Sequence, residues 1–564
     1  METHNCQNCK KDFTIEPDDF SFYEKMKVPA PTFCPECRSQ RRNAWRNNFS
    51  MYSRNCEMCS KSVVSIYSPD SNIKIYCNKC WWSDKWDPKT YGVEYDFSKP
   101  FFTQFHNLIK SVPHITSVND DGIASINCEY TNDIWFSKNC YMVFSGWRIE
   151  NIMYSSFLIA GKDIVDSHLV MAESSYMYEC INCSHGYRLR NSFFSRACVD
   201  SHFLYDCQNC SDCFMCTGLR NKKFHFKNQE YSKEDYFKIL KEYKLDTNEG
   251  VERAQKEYDE FILDYPRRYA WMKQDVDSSG DVVSYSKNTH NCFIAKKCEN
   301  CKYGEYVTFD KDSYDVSMTG EMSECYESVV ADHSQLNLFG LFSVKSQDLR
   351  YTQHCHSSKH LFGCVGLRNS SYCIFNKQYT KEEYEELVPK IIEQMNMVPY
   401  IDKKGRIYKY GEYYPIEHSP FGYNETFAME QFPLSKEESI AEGYNWQDKM
   451  QRTVGKETIN TDEIPKSIKD VSDEIVNHIL KCIDCDRNYR ILQNELTFYK
   501  KMDIPIPLRC FNCRYKKRMS RMNPFKLWHR SCMKQGCKNE FETSYSPDRS
   551  EIIYCESCYQ QEVN

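Results

Sequence analysis

Cys6-Gln-Asn-Cys9 is the first of eight closely spaced cysteine pairs, four at each end of the 564-residue chain. Successive pairs are separated by 24, 18 and 17 residues in both groups. From Cys6 to Cys56 the two ends align without a gap at an offset of 476, and Tyr67-Ser-Pro-Asp70 recurs as Tyr545-Ser-Pro-Asp548. The chain therefore carries the same eight-cysteine module twice.

The spacing within each pair is typical of metal ligands. Two intervening residues let both thiolates reach one ion from a tight turn, and two such knuckles complete a tetrahedral sulfur site. We therefore expect four structural Zn²⁺ ions, with no open position for a catalytic water. The predicted ligands are Cys6, Cys9, Cys34, Cys37, Cys56, Cys59, Cys77, Cys80, Cys482, Cys485, Cys510, Cys513, Cys532, Cys537, Cys555 and Cys558.

Two pairing schemes are open, tandem ribbons from sequential pairs or an interleaved cross-brace. A RING-type cross-brace needs its fourth and fifth ligands only a few residues apart, whereas 18 residues separate them here, so sequential pairing is favoured. Disulfides are the competing interpretation, which is disfavoured because they are rare in chains that stay inside cells. The longer knuckle Cys532-x4-Cys537 predicts a looser site.

The composition is that of a soluble globular protein, with 27% charged and 41% hydrophobic residues. No apolar run approaches the roughly 18 residues of a membrane span, and the start of the chain lacks the basic and apolar parts of a signal peptide. Together with 32 cysteines, these features predict a reducing compartment, the cytoplasm, and no membrane partner.

The body between the modules has short apolar pieces that alternate with polar ones, and the dipeptide Asn-Cys recurs six times. This texture predicts a parallel β-solenoid, with Asn ladders and with cysteines and aromatic rings in its interior. The body is duplicated, since 207–236 align on 355–384 at an offset of 148. Each copy ends in a capping box (Ser232 to Asp235, Thr380 to Glu383) that predicts a closing helix.

The predicted fold is mainly β with peripheral helices (α+β), with duplicated zinc-ribbon modules at both ends flanking a duplicated, solenoid-like body. The expected units are a zinc module at 1–81, an aromatic docking segment at 82–117, solenoid halves at 118–231 and 281–379, a helical insertion at 232–280, a closing helix at 380–397, an extended connector and helix at 398–481, and a zinc module at 482–564.

Each module carries a basic run without acidic residues, between Cys37 and Cys56 and over residues 504–533. Arginines beside a rigid zinc knuckle can meet phosphates at little entropic cost, although they can instead neutralise the thiolates. The candidate nucleic-acid contacts are Arg38, Arg41, Arg42, Arg46, Arg514, Lys516, Lys517, Arg518 and Arg521.

The remaining cysteines give no strong functional signal. Cys207, Cys210, Cys213 and Cys216 have metal-like spacing, but two of the four positions become serine and leucine in the second copy, which favours buried free cysteines. His354-Cys355-His356 is the best enzymatic candidate, yet Cys355 aligns with Cys207. With no P-loop, dinucleotide fingerprint or nucleophile elbow, we predict no catalytic residues and no enzyme.

The terminal modules resemble a zinc-ribbon family of unassigned function, through Cys482 to Arg518 with Phe498-Tyr499, Pro507 and Cys513-Arg514. The whole chain is similar to large bacterial zinc-ribbon proteins, sometimes labelled "Caib/baif family", in Trp81-Trp82-Ser-Asp and in residues 419–426. That label implies coenzyme A transfer, which no residue of this chain supports.

Two functions follow from these patterns. The first is a non-enzymatic protein that binds nucleic acid, RNA above DNA, or a ribonucleoprotein such as a ribosomal particle, through its basic ends. The alternative is a structural or protein-interaction scaffold, with the zinc modules as caps or assembly joints and with protein partners or self-assembly. Steep salt dependence would distinguish the first from the second.

Overall fold

The computed structural model describes residues 1–119, 124–450 and 452–563. It confirms a mainly β chain with peripheral helices. The helices of the described residues are α1 Pro17–Met26, α2 Pro35–Asn43, α3 Asn78–Trp81, α4 Phe101–Ser111, α5 Lys233–Glu242, α6 Asn248–Phe261, α7 Lys381–Met397, α8 Ala428–Gln431, α9 Lys436–Ala441, α10 Gln493–Met502, α11 Phe511–Met519 and α12 Glu556–Glu562. None of them is long and apolar enough to cross a membrane.

The first half of the body is a stack of parallel strands. Successive partners are twelve residues apart, as in Glu150 with Lys162 and Phe144 with Ser156, and one coil of thirteen separates Lys162 from Ser175. The strands are Ile126–Glu129, Asn132–Trp135, Lys138–Tyr141, Phe144–Trp147, Glu150–Met153, Ser156–Ile159, Lys162–Val165, Ser175–Tyr178, Tyr187–Arg190, Val199–Tyr205, Ser211–Thr217 and Lys223–Phe226, followed by the antiparallel Gln229–Glu230.

The second half repeats this stack and begins at Met272, earlier than the predicted boundary at 281. Its strands are Met272–Lys273, Val276–Ser284, Lys287–Lys296, Glu299–Lys302, Glu305–Thr308, Lys311–Gly320, Tyr326–Val329, Gln335–Leu341, Gln347–Gln353, Lys359–Phe362 and Ser371–Ile374, followed by the antiparallel Lys377–Gln378. Equivalent residues of the halves are 148 apart after the thirteen-residue coil and 149 apart before it. The parallel register of twelve residues is that of a β-solenoid.

A three-residue rhythm builds each coil. Every third residue has a left-handed φ, as at Asn127, Tyr130 and Asp133, and the residue after it faces the interior. The interior is filled by cysteine and aliphatic side chains, among them Cys140 and Ile152, each at most 2% exposed. The predicted aromatic filling is wrong: rings such as Phe157 face outward and pack between the units. With a corner at every third residue, the coil is too narrow for rings.

The predicted asparagine ladders are present on both stacks. In the first half, the amide of Asn127 donates to Asn139, Asn139 to Asn151, and Asn151 to Asp163, over 2.9–3.0 Å. Asn288, Asn300 and Asp312 form the second ladder. Short polar side chains tolerate the left-handed backbone of these corners and satisfy each other along the stack.

Helices close the C-terminal end of each stack, as the capping boxes predicted. Tyr236 of α5 packs on Phe224, and Tyr384 of α7 packs on Tyr372, both with ring centroids 5.8 Å apart. These helices cover an end that would otherwise expose unpaired backbone groups. Where the connector region 398–481 was expected to end in a helix, it instead forms two short 3₁₀ turns, Ile468–Asp470 and Asp473–Asn477.

The remaining strands belong to the modules and connectors. Antiparallel hairpins are formed by Glu2–Asn5 with Asp12–Ile15, Tyr52–Asn55 with Ser62–Ser65, Leu480–Lys481 with Asn488–Tyr489, Trp528–Ser531 with Glu540–Thr543, and Tyr400–Ile401 with Ile407–Tyr408. Parallel pairs join Ile75–Tyr76 to His114–Ile115 and Arg267–Arg268 to Ile553–Tyr554.

The aromatic segment at 82–117 docks the first zinc module, as expected. Phe101 of α4 is buried against Phe362 and Phe375 of the second half, with centroids 5.5 and 5.2 Å away. Arg368 of the same half donates to the carbonyl of Trp81 at 2.8 Å. The segment therefore attaches the residues that follow Cys80, the last predicted ligand of the N-terminal module, to the second half.

Candidate metal centres

Every candidate centre takes one cysteine pair from the tip of a β-hairpin and the other from the start of a helix. Cys6 and Cys9 lie between Glu2–Asn5 and Asp12–Ile15, and Cys34 is the N-cap of α2. The other centres repeat this plan, with the helix N-caps Cys77, Cys510 and Cys555. The second pair is therefore helical rather than a second knuckle.

The sulfur atoms gather in the four sequential groups. Within each group the four Sγ atoms lie within 4.8 Å of one another. The groups are Cys6, Cys9, Cys34 and Cys37; Cys56, Cys59, Cys77 and Cys80; Cys482, Cys485, Cys510 and Cys513; and Cys532, Cys537, Cys555 and Cys558. Sequential pairing is thus confirmed over the cross-brace, and each group could hold one metal ion.

The sulfur spacing matches a tetrahedral site. A Zn–S bond of about 2.3 Å gives a tetrahedron with edges of about 3.8 Å. The Sγ atoms of Cys9 and Cys34 are 3.7 Å apart, and those of Cys59 and Cys77 are 3.9 Å apart. The C-terminal centres give 3.7 Å and 3.9 Å for the corresponding pairs. The widened knuckle of the last centre therefore keeps the same sulfur spacing as its counterpart.

Backbone amides at the helix starts stabilise the thiolate forms. The N–H of Cys34 donates to Cys6 Sγ, and the N–H of Cys77 donates to Cys56 Sγ, both at 3.3 Å. Burial alone would raise the pKa of Cys56, but the backbone N–H groups of Cys77, Cys59 and Met58 bring it down to about 7. The positive end of a helix acts in the same direction and favours the thiolate that accepts these hydrogen bonds.

Most of the predicted phosphate contacts lie inside the protein. Arg38, Arg41 and Arg42 project from α2 with side chains at most 1% exposed. Arg38 and Arg42 both bind Asp315 of the second half, at 2.9 and 3.0 Å. Arg41 binds Glu327 at 2.7 Å and Glu412 of the connector at 2.9 Å.

The C-terminal module repeats this arrangement on the first half. Arg514 and Arg518 project from α11 and both bind Asp166, at 2.9 and 3.4 Å. Arg518 also binds Glu179 at 3.2 Å. Asp166 is the equivalent of Asp315, so each helix presents two arginines, four residues apart, to the same buried carboxylate of a stack.

The two modules dock crosswise. The N-terminal module binds the second half of the body, where Tyr23 packs on Tyr326 with centroids 5.5 Å apart. The C-terminal module binds the first half, where the equivalent Tyr499 packs on Tyr178 at 5.9 Å. The second centre of the C-terminal module keeps this preference, since Tyr545 contacts the hydroxyl of Tyr205 at 3.1 Å.

The structure therefore corrects the nucleic-acid prediction for Arg38, Arg41, Arg42, Arg46, Arg514 and Arg518. Arg46 is also buried and binds Asp133 at 3.2 Å. A buried guanidinium that is paired within the chain cannot reach a phosphate. Arg521 is half-buried and binds Asp259 at 3.0 Å, and Lys516 and Lys517 are the members of the set that are exposed.

The inner cysteines do not form a further centre. Cys207, Cys210, Cys213 and Cys216 face the interior from four successive positions of one coil, and each Sγ donates to the carbonyl two residues earlier at 3.3–3.6 Å. They are outside the four groups within ligating distance found among the described residues. They behave as small buried side chains, as the serine and leucine at two of the equivalent positions in the second copy indicated.

The structure separates the members of the candidate Cys–His dyad. Cys355 faces the interior, where burial raises the pKa of its thiol to about 12, and it donates to the carbonyls of Gln353 and Cys364 at 3.6 Å. His354 instead faces Tyr67 at 3.3 Å, and His356 packs on Trp82. Neither His354 nor His356 is therefore placed to activate the thiol.

The carboxylates that receive the arginines were missed from the sequence. Asp166 and Asp315 are 149 residues apart, and Glu179 and Glu327 are 148 apart. Extending the internal alignment upstream of Cys207, with a single-residue gap, would have paired these acids and set them against the paired arginines of the two modules.

No protein-family model matches the chain, and no curated protein matches it either. The resemblance to bacterial zinc-ribbon proteins therefore stays a prediction, and the site geometry alone carries the functional argument.

Proposed function

We propose that the protein is a non-enzymatic scaffold in which four Zn²⁺ ions hold two modules as clamps across a pair of β-solenoid halves. The observation that carries this proposal is the inward use of two arginine pairs, Arg38 with Arg42 and Arg514 with Arg518, which join each module to the opposite stack. All-sulfur donor sets with tetrahedral spacing favour Zn²⁺ in a structural role. Bound there, the metal would fix each hairpin to its helix, and the helix would present the arginines.

Internal neutralisation argues against the nucleic-acid alternative. Six of its nine candidate residues are buried, and their charges are balanced by carboxylates of the body. A phosphate surface needs several accessible cations in one region, whereas Lys516 and Lys517 form a group of only two. Binding of RNA or DNA is accordingly an outcome that the test below would detect, rather than the function proposed.

An exposed aromatic corner on the first half supports a protein-interaction role. Trp135 and Trp147 pair in adjacent coils, and Phe136 beside them is 58% exposed, while Trp147 is 40% exposed. The guanidinium of Arg148 lies 4.1 Å from the Trp147 ring. Exposed aromatic residues next to arginine are typical of interface centres, and we propose that this corner meets a protein partner.

Affinity capture tests the proposal. The zinc-loaded full-length protein is used as bait in lysate, with and without nuclease, and the retained protein and nucleic acid are quantified. We expect a stoichiometric protein partner that resists nuclease and is lost from the variant Phe136→Ser, Trp147→Ser. The matched control, Tyr285→Ser with Phe309→Ser, removes aromatic rings of similar exposure from the second half and should keep the partner.

Two results would contradict the scaffold. Retention of a defined nucleic acid with steep salt dependence would restore the nucleic-acid function. Equal loss of the protein partner from both double variants would show that capture depends on general stickiness rather than on the corner.

A further inference from the structure

A cavity of about 330 Å³ lies where four parts of the chain meet. Phe193 and Tyr205 of the first half, Phe293 of the second half and Phe525 of the C-terminal module form aromatic walls. Arg267, which follows α6 within the helical insertion, also lines the cavity. Concave spaces of this size that combine apolar walls with polar groups are typical of small-molecule sites.

Arg267 is unlike the other arginines of this cavity. Arg267 is only 4% exposed, and its guanidinium lies 4.0 Å from the centre of the Tyr205 ring. One terminal nitrogen has no hydrogen-bond partner, and no carboxylate of the described residues lies within ion-pair distance of the group. By contrast, Arg521 binds Asp259 and Arg549 binds Glu551.

The carboxylates of the cavity are already engaged. Asp281 accepts the N–H groups of Trp271 and Val282, both at 2.9 Å, and the hydroxyl of Ser544. Asp259 and Glu551 face their own arginines. Among the described residues, Arg267 is therefore the arginine of this lining that has no carboxylate within ion-pair distance, although its charge acts on Glu551 from farther away.

Internal symmetry shows that the space is specific to one side of the molecule. Tyr545 lines the cavity, and Tyr67 is its equivalent in the N-terminal module. Tyr67 is covered by Phe421 of the connector, with stacked rings 5.3 Å apart. The connector therefore fills the space beside Tyr67. The cavity beside Tyr545 is lined by no described residue of the connector, so this space is open to another occupant.

We propose that this cavity binds a small organic carboxylate with an aromatic or branched apolar body. A buried, unpaired cation is costly, and an anion beside it offsets that cost. The planar guanidinium matches a carboxylate through two parallel hydrogen bonds. The aromatic walls receive the apolar body, and burial of that surface provides the remaining affinity.

Titration calorimetry on the zinc-loaded full-length protein tests the site. The probes are benzoate, phenylacetate and isovalerate, with benzyl alcohol as a neutral analogue and inorganic phosphate as an anion without an apolar body. We expect at least one carboxylate to bind one per chain, at least tenfold more tightly than benzyl alcohol or phosphate. Arg267→Met should abolish that preference, while Arg253→Met, an exposed arginine of α6, should leave it unchanged.

A second variant separates binding from folding. Ile294→Trp, which places a larger side chain on the cavity wall, should remove carboxylate binding while the arginine is retained. Thermal unfolding without ligand should show both variants folded, since Arg267→Met removes a buried charge rather than an ion pair. The proposal is overturned if no carboxylate exceeds benzyl alcohol, if phosphate alone binds, or if binding survives Arg267→Met.

Discussion

Phe157 and Tyr306 occupy equivalent positions in the two halves of the body and stack on each other, with ring centroids 3.8 Å apart and planes 16° apart. They are 149 residues apart, the offset that relates the halves before the thirteen-residue coil. The internal two-fold relation of the chain therefore passes between these rings. His168 extends the contact, since its Nε2 lies 3.2 Å from the Tyr306 hydroxyl.

This stacked pair should couple the two halves energetically. A double-mutant cycle of Phe157→Leu and Tyr306→Leu should give an interaction free energy of about 0.5–1.5 kcal/mol, because offset aromatic pairs add to simple burial. Urea unfolding measures it. Phe157→Leu combined with Phe237→Leu is the control, since Phe237 lies on α5 and packs on Phe224, and that pair should be additive. Additivity in both cycles would mean that the halves are not coupled here.

Loss of an inward arginine should destabilise the fold. Arg518→Met leaves Asp166 and Glu179 without part of their counter-charge in a buried setting, so we expect a loss of about 3–5 kcal/mol in the free energy of unfolding. The exposed neighbour gives a matched control, since Lys517→Met should change stability by no more than about 0.5 kcal/mol. Equal, small effects of the two substitutions in chemical denaturation would place Arg518 on the surface instead.

The metal ligands and the modules could be predicted from the sequence, because ligand spacing is a local property. The direction of the arginines could not. Arg38 meets Asp315 across 277 positions of sequence, and nothing within the basic run distinguishes an arginine that faces solvent from one that faces a distant carboxylate. An excess of arginine beside a zinc knuckle therefore predicts either role equally well.

The coil architecture was only partly readable. Asparagine recurrence predicted the ladders, and duplicated capping boxes predicted the closing helices. The three-residue rhythm was present in the spacing of Cys207, Cys210 and Cys213, all inward-facing. Aromatic residues obscured it because they lie on the outside of a coil too narrow to hold them. Packing between units, rather than the coil itself, decides where those rings lie.

An inward carboxyl group should make stability depend on pH. Burial raises the pKa of Asp310 to about 7, and the N–H of Met322 and the hydroxyl of Thr319 donate to its oxygens. The folded state then holds more protons than the unfolded state between pH 4 and 7. The contribution of Asp310 to the free energy of unfolding is therefore fully present below pH 4 and is lost as pH rises through 7. The pKa shift of about three units corresponds, at about 1.4 kcal/mol per unit, to an effect on the order of 4 kcal/mol.

The test compares Asp310→Asn with the parent protein in urea at pH 5.5 and pH 8. The variant should gain stability relative to the parent at the higher pH, since asparagine never loses a proton. His168 lowers the stability of both proteins in acid, because burial lowers its pKa to about 3. Its effect is the same in the variant and the parent and cancels in the comparison. A constant difference between the two proteins across this range would contradict the buried, protonated carboxyl.

Metal content should follow the sequential groups. We expect four zinc ions per chain by mass spectrometry, and three after Cys9→Ser, with a lower unfolding temperature because a structural site contributes directly to folding. Cys355→Ser is the control, since that thiol faces the solenoid interior and should leave four ions bound. Loss of zinc from Cys355→Ser would instead place metal inside the coils.

The crosswise docking of each zinc module on the opposite half of the body is tested most directly by hydrogen exchange. Two variants that lack a pair of metal ligands are compared with the zinc-loaded parent. Cys6→Ser with Cys9→Ser should release protection in the second half, in peptides covering 311–329, where Arg38 and Tyr23 dock. Cys482→Ser with Cys485→Ser should release protection in the first half, in peptides covering 162–178. Loss confined to each altered module, or loss in the half that adjoins it in sequence, would contradict the account.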